Sequence, residues 1–330
     1  MRNLFVFFCF FFIETICFAD NHIPVEVTPE HFGCISNDKR QADNNSIALQ
    51  NAINYCIKNG SKLVSIASNA YYISKGLTIP GYINIDLGGA TLIATAPMSM
   101  VTIHYDKTEY WTGTIRNFRL NMNGIAKVGI DCDKVIKLHI YDGEFYNIGE
   151  HAVGLQVTEG YELFANNLHF HGSQKYSIGI KTLTSDCHFS DCIMINCYTA
   201  IDNTGGNFYE RIHAWMLPQY LQGSIYFRNR SGLIFMSQCC CDTYDRAFAV
   251  DNICEMHISQ LKLFHNKLMW KGHSGKIFPI VFFFEKETVA NESKIFLSDS
   301  YIGSLILGNQ DKQAFSNMQN KIKTFNCSFK

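Results

Sequence analysis

Residues Asp191–Cys241 read DCIMINCYTAIDNTGGNFYERIHAWMLPQYLQGSIYFRNRSGLIFMSQCCC. The stretch holds three copies of one short phrase: a polar residue, apolar or small residues one and three places later, then a turn rich in Asn, Gly, Ser or Asp. The copies are DCIM from Asp191, RIHA from Arg211 and QCCC from Gln238. Outward from these, NFRL, DGEF and NLHF start at Asn117, Asp142 and Asn167, and QLKL and DSYI start at Gln260 and Asp299. Successive anchors lie 25, 25, 24, 20, 27, 22 and 39 residues apart. A period in the twenties, with an insertion in the last step, marks a solenoid.

Alternation at period two predicts strands with one face turned inward. No coil contains an amphipathic helix of ten residues, which leucine-rich and helical repeats would carry. The expected fold is all-β, a single-stranded right-handed parallel β-helix with coils over about 62–307. Upstream, NNSIALQNAINYCIKNG (Asn44–Gly60) places Leu49, Ala52, Ile53, Cys56 and Ile57 at helical spacing and stops at Asn59-Gly60. This helix, expected over about 45–58, has one apolar face and no helical partner, so it should cap the open end of the first coil.

HFGCISNDKRQADNNSIALQNAINYC (His31–Cys56), followed by AYYISKGLTIPGYINIDLGGATLIA (Ala70–Ala94), resembles the N-terminal signature of the pectate-lyase-like superfamily, in its branch related to polygalacturonases and phage tailspikes. His31-Phe32-Gly33-Cys34 stands for Asp-Phe-Gly-Ala, Asn44-Asn45-Ser46 for Asp-Asp-Thr, and Ala48–Ile53 for Ala-Ile-Gln-x-Ala-Ile. Both acidic positions of the middle element are Asn here. The resemblance covers about residues 27–300 and implies a β-helix that binds long polysaccharides along a strand face. The polygalacturonase motifs Asn-x-Asp, Asp-Asp, Gly-His-Gly and Arg-x-Lys do not occur together, which disfavours pectin hydrolysis.

The first residues carry Arg2, an apolar run from Leu4 to Ile13, and small residues Cys17 and Ala19. This is the pattern of a signal peptide cleaved after Ala19, leaving 20–330 as one domain, secreted or periplasmic. Ten apolar residues fall short of the roughly 20 that span a bilayer, so no stable membrane insertion is expected. A net charge of −1 gives no footprint for nucleic acid. Downstream of the leader, 11 cysteines remain, an odd number. Four Asn-x-Ser sequons occur, at Asn44, Asn229, Asn291 and Asn326.

In the repeat register Cys239 and Cys241 point inward, beside Ile212, Leu261, Ala214 and Leu263, and Cys240 points outward. Cys192 shares the Cys239 column two coils away, about 10 Å at ~4.8 Å per coil, beyond disulfide reach. The inward cysteines therefore read as small apolar core residues. Zinc is disfavoured because three adjacent strand residues cannot all turn toward one ion, so no metal or cofactor is expected from this cluster. A nucleophilic Cys240 would need a base, for which His213 and Lys262 are the outward neighbours.

The outward columns after the anchors run through Glu144 and Tyr146, His169 and His171, Ile193 and Ile195, His213 and Trp215, Cys240 and Asp242, then Lys262 and Phe264. Trp215 suits stacking on a pyranose ring or packing under the loop MLPQYLQGS, and Tyr220 and Tyr226 would extend the platform. Asp242 and Asp245 bracket a turn beside Arg246. Two carboxyl groups serve glycoside hydrolysis; a lyase instead needs a base and a cation, supplied by Arg246, Arg228, Lys262 or Ca²⁺. The plainer reading makes Asp242 and Asp245 turn residues. His151 and His188 read as hydrogen-bonded surface groups. The expected function is a polysaccharide-active protein that cleaves as a glycosidase or lyase; the alternatives are a non-catalytic carbohydrate-binding or adhesion module and a structural envelope protein.

Overall fold

The computed structural model describes residues 26–59, 62–63, 69–105, 113–264, 280–302, 307–308 and 322–329. The expected leader lies outside them. Each coil runs through a strand, a sharp bend, a second strand and, after a turn, a third strand on another face. In the coil around Asp191 these are Cys187–Ser190, Ile193–Ile195 and Thr199–Thr204. Every strand pairs in parallel with its counterpart in the neighbouring coils, as Ile193 does with His169 and His213. The result is a parallel β-helix, and its pairing continues past the expected limit to Ser328–Phe329.

The bend explains the repeat. Asn117, Asp142, Asn167, Asp191, Arg211, Gln238, Gln260, Asp299 and Asn326 all hold φ between 48° and 55°. In that left-handed conformation the chain turns sharply within one residue, and Asn and Asp adopt it at least cost after Gly. Stacking brings these residues into one ladder. Asn167 Nδ2 donates to Asp142 Oδ1 at 2.7 Å, and Arg211 grips Asp191 through Nε and Nη2 at 2.6 and 2.8 Å. The anchors therefore share one edge, as their spacing predicts.

One and three places past the bend, side chains enter the core. Phe118 and Leu120, Leu168 and Phe170, Cys192 and Met194, Ile212 and Ala214, Cys239 and Cys241, and Leu261 and Leu263 are all buried. Gly143 is the exception, because the Phe118 ring fills its place: a Cβ there would lie 2.0 Å from Phe118 Cζ. The 11 described cysteines are all free, and the Ile212 rung separates Cys192 from Cys239. Burial pushes the Cys192 thiol up to about 12, consistent with its acting as a core residue.

The capping helix α1 (Ala42–Asn59) closes the first coil chemically as well as sterically. Ala48, Leu49, Ala52 and Ile53 are buried against it. Ser46 Oγ accepts from the Ser74 and Lys75 N–H groups, and Gln50 both gives to and takes from the Thr78 backbone. These bonds satisfy strand groups that have no coil beyond them. Asn45 likewise accepts from the Ile35 N–H at 2.8 Å and donates to the Ile35 carbonyl at 2.9 Å. A carboxylate can only accept, so the Asn at this position has its own use. Of the sequons, Asn229 is wholly buried and bonds Asn203. No helix among the described residues is long and apolar enough to cross a membrane.

Two outcomes follow from this register. Gln238 already bears the left-handed cost, so Gln238→Gly should be neutral or stabilising in urea unfolding, whereas Gln238→Val, β-branched at φ 54°, should be destabilising. Thiol titration of the denatured, unreduced chain should find Cys192, Cys239 and Cys241 reactive. A mapped disulfide joining Cys192 to either would break the register.

Candidate functional site

The strand after each bend carries its outward side chains in two columns. One runs His169, Ile193, His213, Cys240, Lys262, Tyr301 and the other His171, Ile195, Trp215, Asp242. Trp215 and Asp242 therefore occupy adjacent rungs of one face. His213 Nε2 lies 3.3 Å from Asp242 Oδ2, and the Cys240 thiol points to Asp242 Oδ1 at 3.7 Å. The Asp242 hydrogen bond raises the His213 pKa against the opposing effect of burial. Burial, followed by the Asp242 charge, pushes Cys240 up to about 12, so its thiol is not an activated nucleophile.

Several expected partners stand elsewhere. The Asp245 carboxylate accepts from the Gly223 N–H at 2.8 Å, and its own N–H donates to Ser224 Oγ at 3.1 Å. It thus fastens the preceding loop, while Thr243, at φ 57°, turns inward between it and Asp242. Arg246 opens the third-face strand Arg246–Val250, its guanidinium 4.0 Å from the centre of the Phe283 ring. Arg228 lies on that same third face and pairs with Asp251 at 2.7 Å. Tyr226 corrects the sequence reading outright: it is 0% exposed, and its hydroxyl donates to the Ile212 carbonyl, so it cannot meet a ligand. Tyr220 is half-buried, with its hydroxyl on the Ser173 carbonyl at 3.1 Å. Lys262 is exposed on the rung after Cys240.

Reading QCCC only along its own strand also hid a cross-coil trio. His213 joins Cys240 and Asp242 from the preceding coil, and one ligand atom from each lies within 4.8 Å of the others. Unlike three consecutive residues of one strand, these three come from two rungs and share one outward face.

The larger omission lies three places before each bend. There His139, Phe164, His188, Phe208, Phe235, His257 and Phe296 stack in an unbroken row. Neighbouring centroids are 4.4–5.2 Å apart and ring planes 4–22° from parallel. Lys323 ends the row over the face of Phe296. His188 is thus a rung between Phe164 and Phe208, and His151 stacks on Tyr176, contacts that the reading of both as surface groups did not include. The signal was present: counting back three from each anchor finds an aromatic or imidazole ring seven times running. Because the rings cover one another's faces, the row shows solvent only ring edges, with Phe164, Phe208 and Phe235 36–38% exposed. It cannot stack on sugar faces along its length. A groove of about 450 Å³ lies on the earlier coils of the same face, where Arg119, Glu144 and His169 continue the His213 column beside Asp86, Asn117 and Asp142.

No family model and no curated protein matches the sequence. Among solved structures, the chain is similar to a tailspike protein of E. coli bacteriophage HK620, solved as a double mutant in complex with a pentasaccharide. That match has 9% identity and a TM-score of 0.45, over 85% of this chain and 72% of that one. It is similar also to the family 28 exopolygalacturonase of Yersinia enterocolitica, at 13% identity and a TM-score of 0.42, over 93% and 72% of the two chains. The Agl-KA catalytic domain gives 13% identity and a TM-score of 0.36, over 92% of this chain and 53% of that one. At these identities the fold rests on the coil register itself.

Removing one rung tests what the aromatic row contributes. Phe208→Ala, which breaks two stacked pairs, should lose about 1–3 kcal/mol in denaturant unfolding. Ile125→Ala, at an equally exposed apolar position outside the row, should stay within about 0.5 kcal/mol of the parent.

Proposed function

We propose that this protein holds a polysaccharide along the face after the bend and cleaves it there, with Trp215 under one sugar ring and Asp242 at the adjoining linkage. The observation that carries the reading is the placement of Trp215 and the His213–Asp242 pair on neighbouring rungs of one outward face. Rungs repeat at ~4.8 Å, close to the length of one sugar unit, so a residue one coil on meets the bond beside a stacked ring. An indole offers the flat apolar surface that a pyranose C–H face packs against. A carboxylate hydrogen-bonded to imidazole has the makings of a proton-transfer group.

Asp245 and Arg246, expected from the sequence to share the chemistry, have in this reading a supporting part, because the Gly223 N–H and the Phe283 ring engage them. Only one carboxylate of the expected pair then faces the substrate, and Lys262 is the nearby cation. That combination favours elimination from a uronic-acid polymer over two-carboxylate hydrolysis. The reading includes export, on the strength of the leader pattern ending at Ala19.

A panel of acidic and neutral polysaccharides, followed for unsaturated uronates and for new reducing ends, tests it. With the polymer identified, Trp215→Ala should chiefly weaken binding. Asp242→Asn should cost about 10²- to 10⁴-fold in turnover with binding little changed. Asp245→Asn should keep turnover within a few-fold while lowering thermal stability. If Asp242→Asn keeps full turnover and Trp215→Ala loses binding, the face is a binding platform and the catalytic part of the proposal falls.

A further inference from the structure

His213, Cys240 and Asp242 supply nitrogen, sulfur and oxygen from three side chains that point outward on two successive rungs. Among the described residues they form the only such trio of potential metal ligands. Their spacing is informative. A tetrahedral ion with bonds of about 2.0–2.3 Å sets its ligand atoms about 3.3–3.6 Å apart along the edges. Here the imidazole Nε2 lies 3.3 Å from Asp242 Oδ2 and the thiol sulfur 3.7 Å from the other oxygen, Oδ1, and one ligand atom from each residue lies within 4.8 Å of the others. The backbone fixes that spacing, because His213 pairs directly with Cys240 in the ladder and Asp242 follows two places along the same strand. Side-chain torsions alone, with the ladder unchanged, would close the three groups on one centre, the carboxylate turning one oxygen toward both partners.

We infer that His213, Cys240 and Asp242 form a binding site for one divalent transition ion of the zinc class, with its fourth position open to solvent beside Trp215. The ligand set selects the ion: a thiolate with an imidazole suits zinc and its neighbours and is a poor match for Ca²⁺ or Mg²⁺, which take oxygen. Three protein ligands with one open position is the arrangement of sites that hold a water or a substrate atom. On binding, the Cys240 S–H bond breaks, its proton passes to solvent, and sulfur binds the ion as thiolate; Lys262 on the next rung stabilises that charge. The half-buried setting, with His213 and Asp242 side chains 44% and 33% exposed, leaves a path for the ion and for the fourth ligand.

The inference concerns the same cluster as the proposed function, but it is tested without any saccharide. Chelator-treated protein, kept reduced with a non-chelating phosphine, is titrated with Co²⁺ and followed by visible and near-ultraviolet absorption, and Zn²⁺ uptake is measured by elemental analysis after dialysis. The expected result is saturation at one equivalent, with tetrahedral ligand-field bands and a thiolate charge-transfer band that Zn²⁺ abolishes. Cys240→Ser should lose the charge-transfer band, and His213→Ala and Asp242→Ala should weaken uptake at least tenfold. Cys56→Ser, on the capping helix, should leave the spectrum unchanged. Circular dichroism checks that each variant is folded, and Asp242→Asn serves where Asp242→Ala is not. No uptake by the parent, or a charge-transfer band that survives Cys240→Ser, overturns the site. Metal uptake without polysaccharide cleavage leaves this inference standing and removes the functional one; Asp242-dependent cleavage by a chain that takes up no metal does the reverse.

Discussion

Every coil depends on one residue held at positive φ. The left-handed bend costs a non-glycine residue about 1–2 kcal/mol, and six of the nine anchors are Asn or Asp, the types that bear it best. Arg211, Gln238 and Gln260 lack that tolerance and follow one another in the middle of the stack. Each is held by a bond from its own N–H to the next coil, to Ser237, Ser259 and Ser298 in turn, at 3.0–3.1 Å. The strain is thus borne by the ladder and not by the single coil, which makes each coil's shape conditional on its neighbours. The same bend separates the two outward faces of this part of the coil, one carrying the aromatic row and the other the Trp215 and Asp242 columns.

What the sequence disclosed and what it hid divide along that bend. Either side of the anchors the strands are flat enough for strict alternation, so the inward placing of Cys239 and Cys241 and the outward placing of Cys240 could be read directly. The third-face strands behave differently. Thr199–Asn203 is buried at five successive positions, and Ile225, Tyr226 and Phe227 at three, because the chain curls round a corner where both sides meet packed atoms. Period two fails there, and with it failed the placing of Tyr226 as an exposed platform residue. The helix was legible because its apolar spacing is local. Its hydrogen bonds to Ser74, Lys75 and Thr78 were not, since they join residues 28 or 29 apart.

The candidate site was legible by residue type and column, and illegible in how its side chains converge. Trp215, Asp242 and the His213–Cys240 neighbour pair emerge from column counting, but the closing of all three polar groups on one point depends on side-chain directions that column counting does not give. In the aromatic row no rung is unusual alone, and only the recurrence at one offset from the anchor gives it away. Burial of each ring's two faces by its neighbours then decides what the row can do. The row leaves its ring faces covered, whereas the indole of Trp215 is flanked in its column by Ile195 and Asp242 and not by rings.

The unequal step lengths have a further consequence. Between Arg211 and Gln238 the coil takes 27 residues instead of 20, yet the rungs on either side keep perfect register. The surplus lies in a loop through Pro218–Tyr220 and in one extra residue bulged between Asn229 and Ser231, and the loop is pinned where the Tyr198 hydroxyl donates to the Gln222 carbonyl and the Gly223 N–H to the Asp245 carboxylate. Length and register are therefore inherited separately. Such a scaffold can raise, lower or re-line the wall beside its exposed face by insertion and deletion at the corners while the ladder that supports it keeps its pairing.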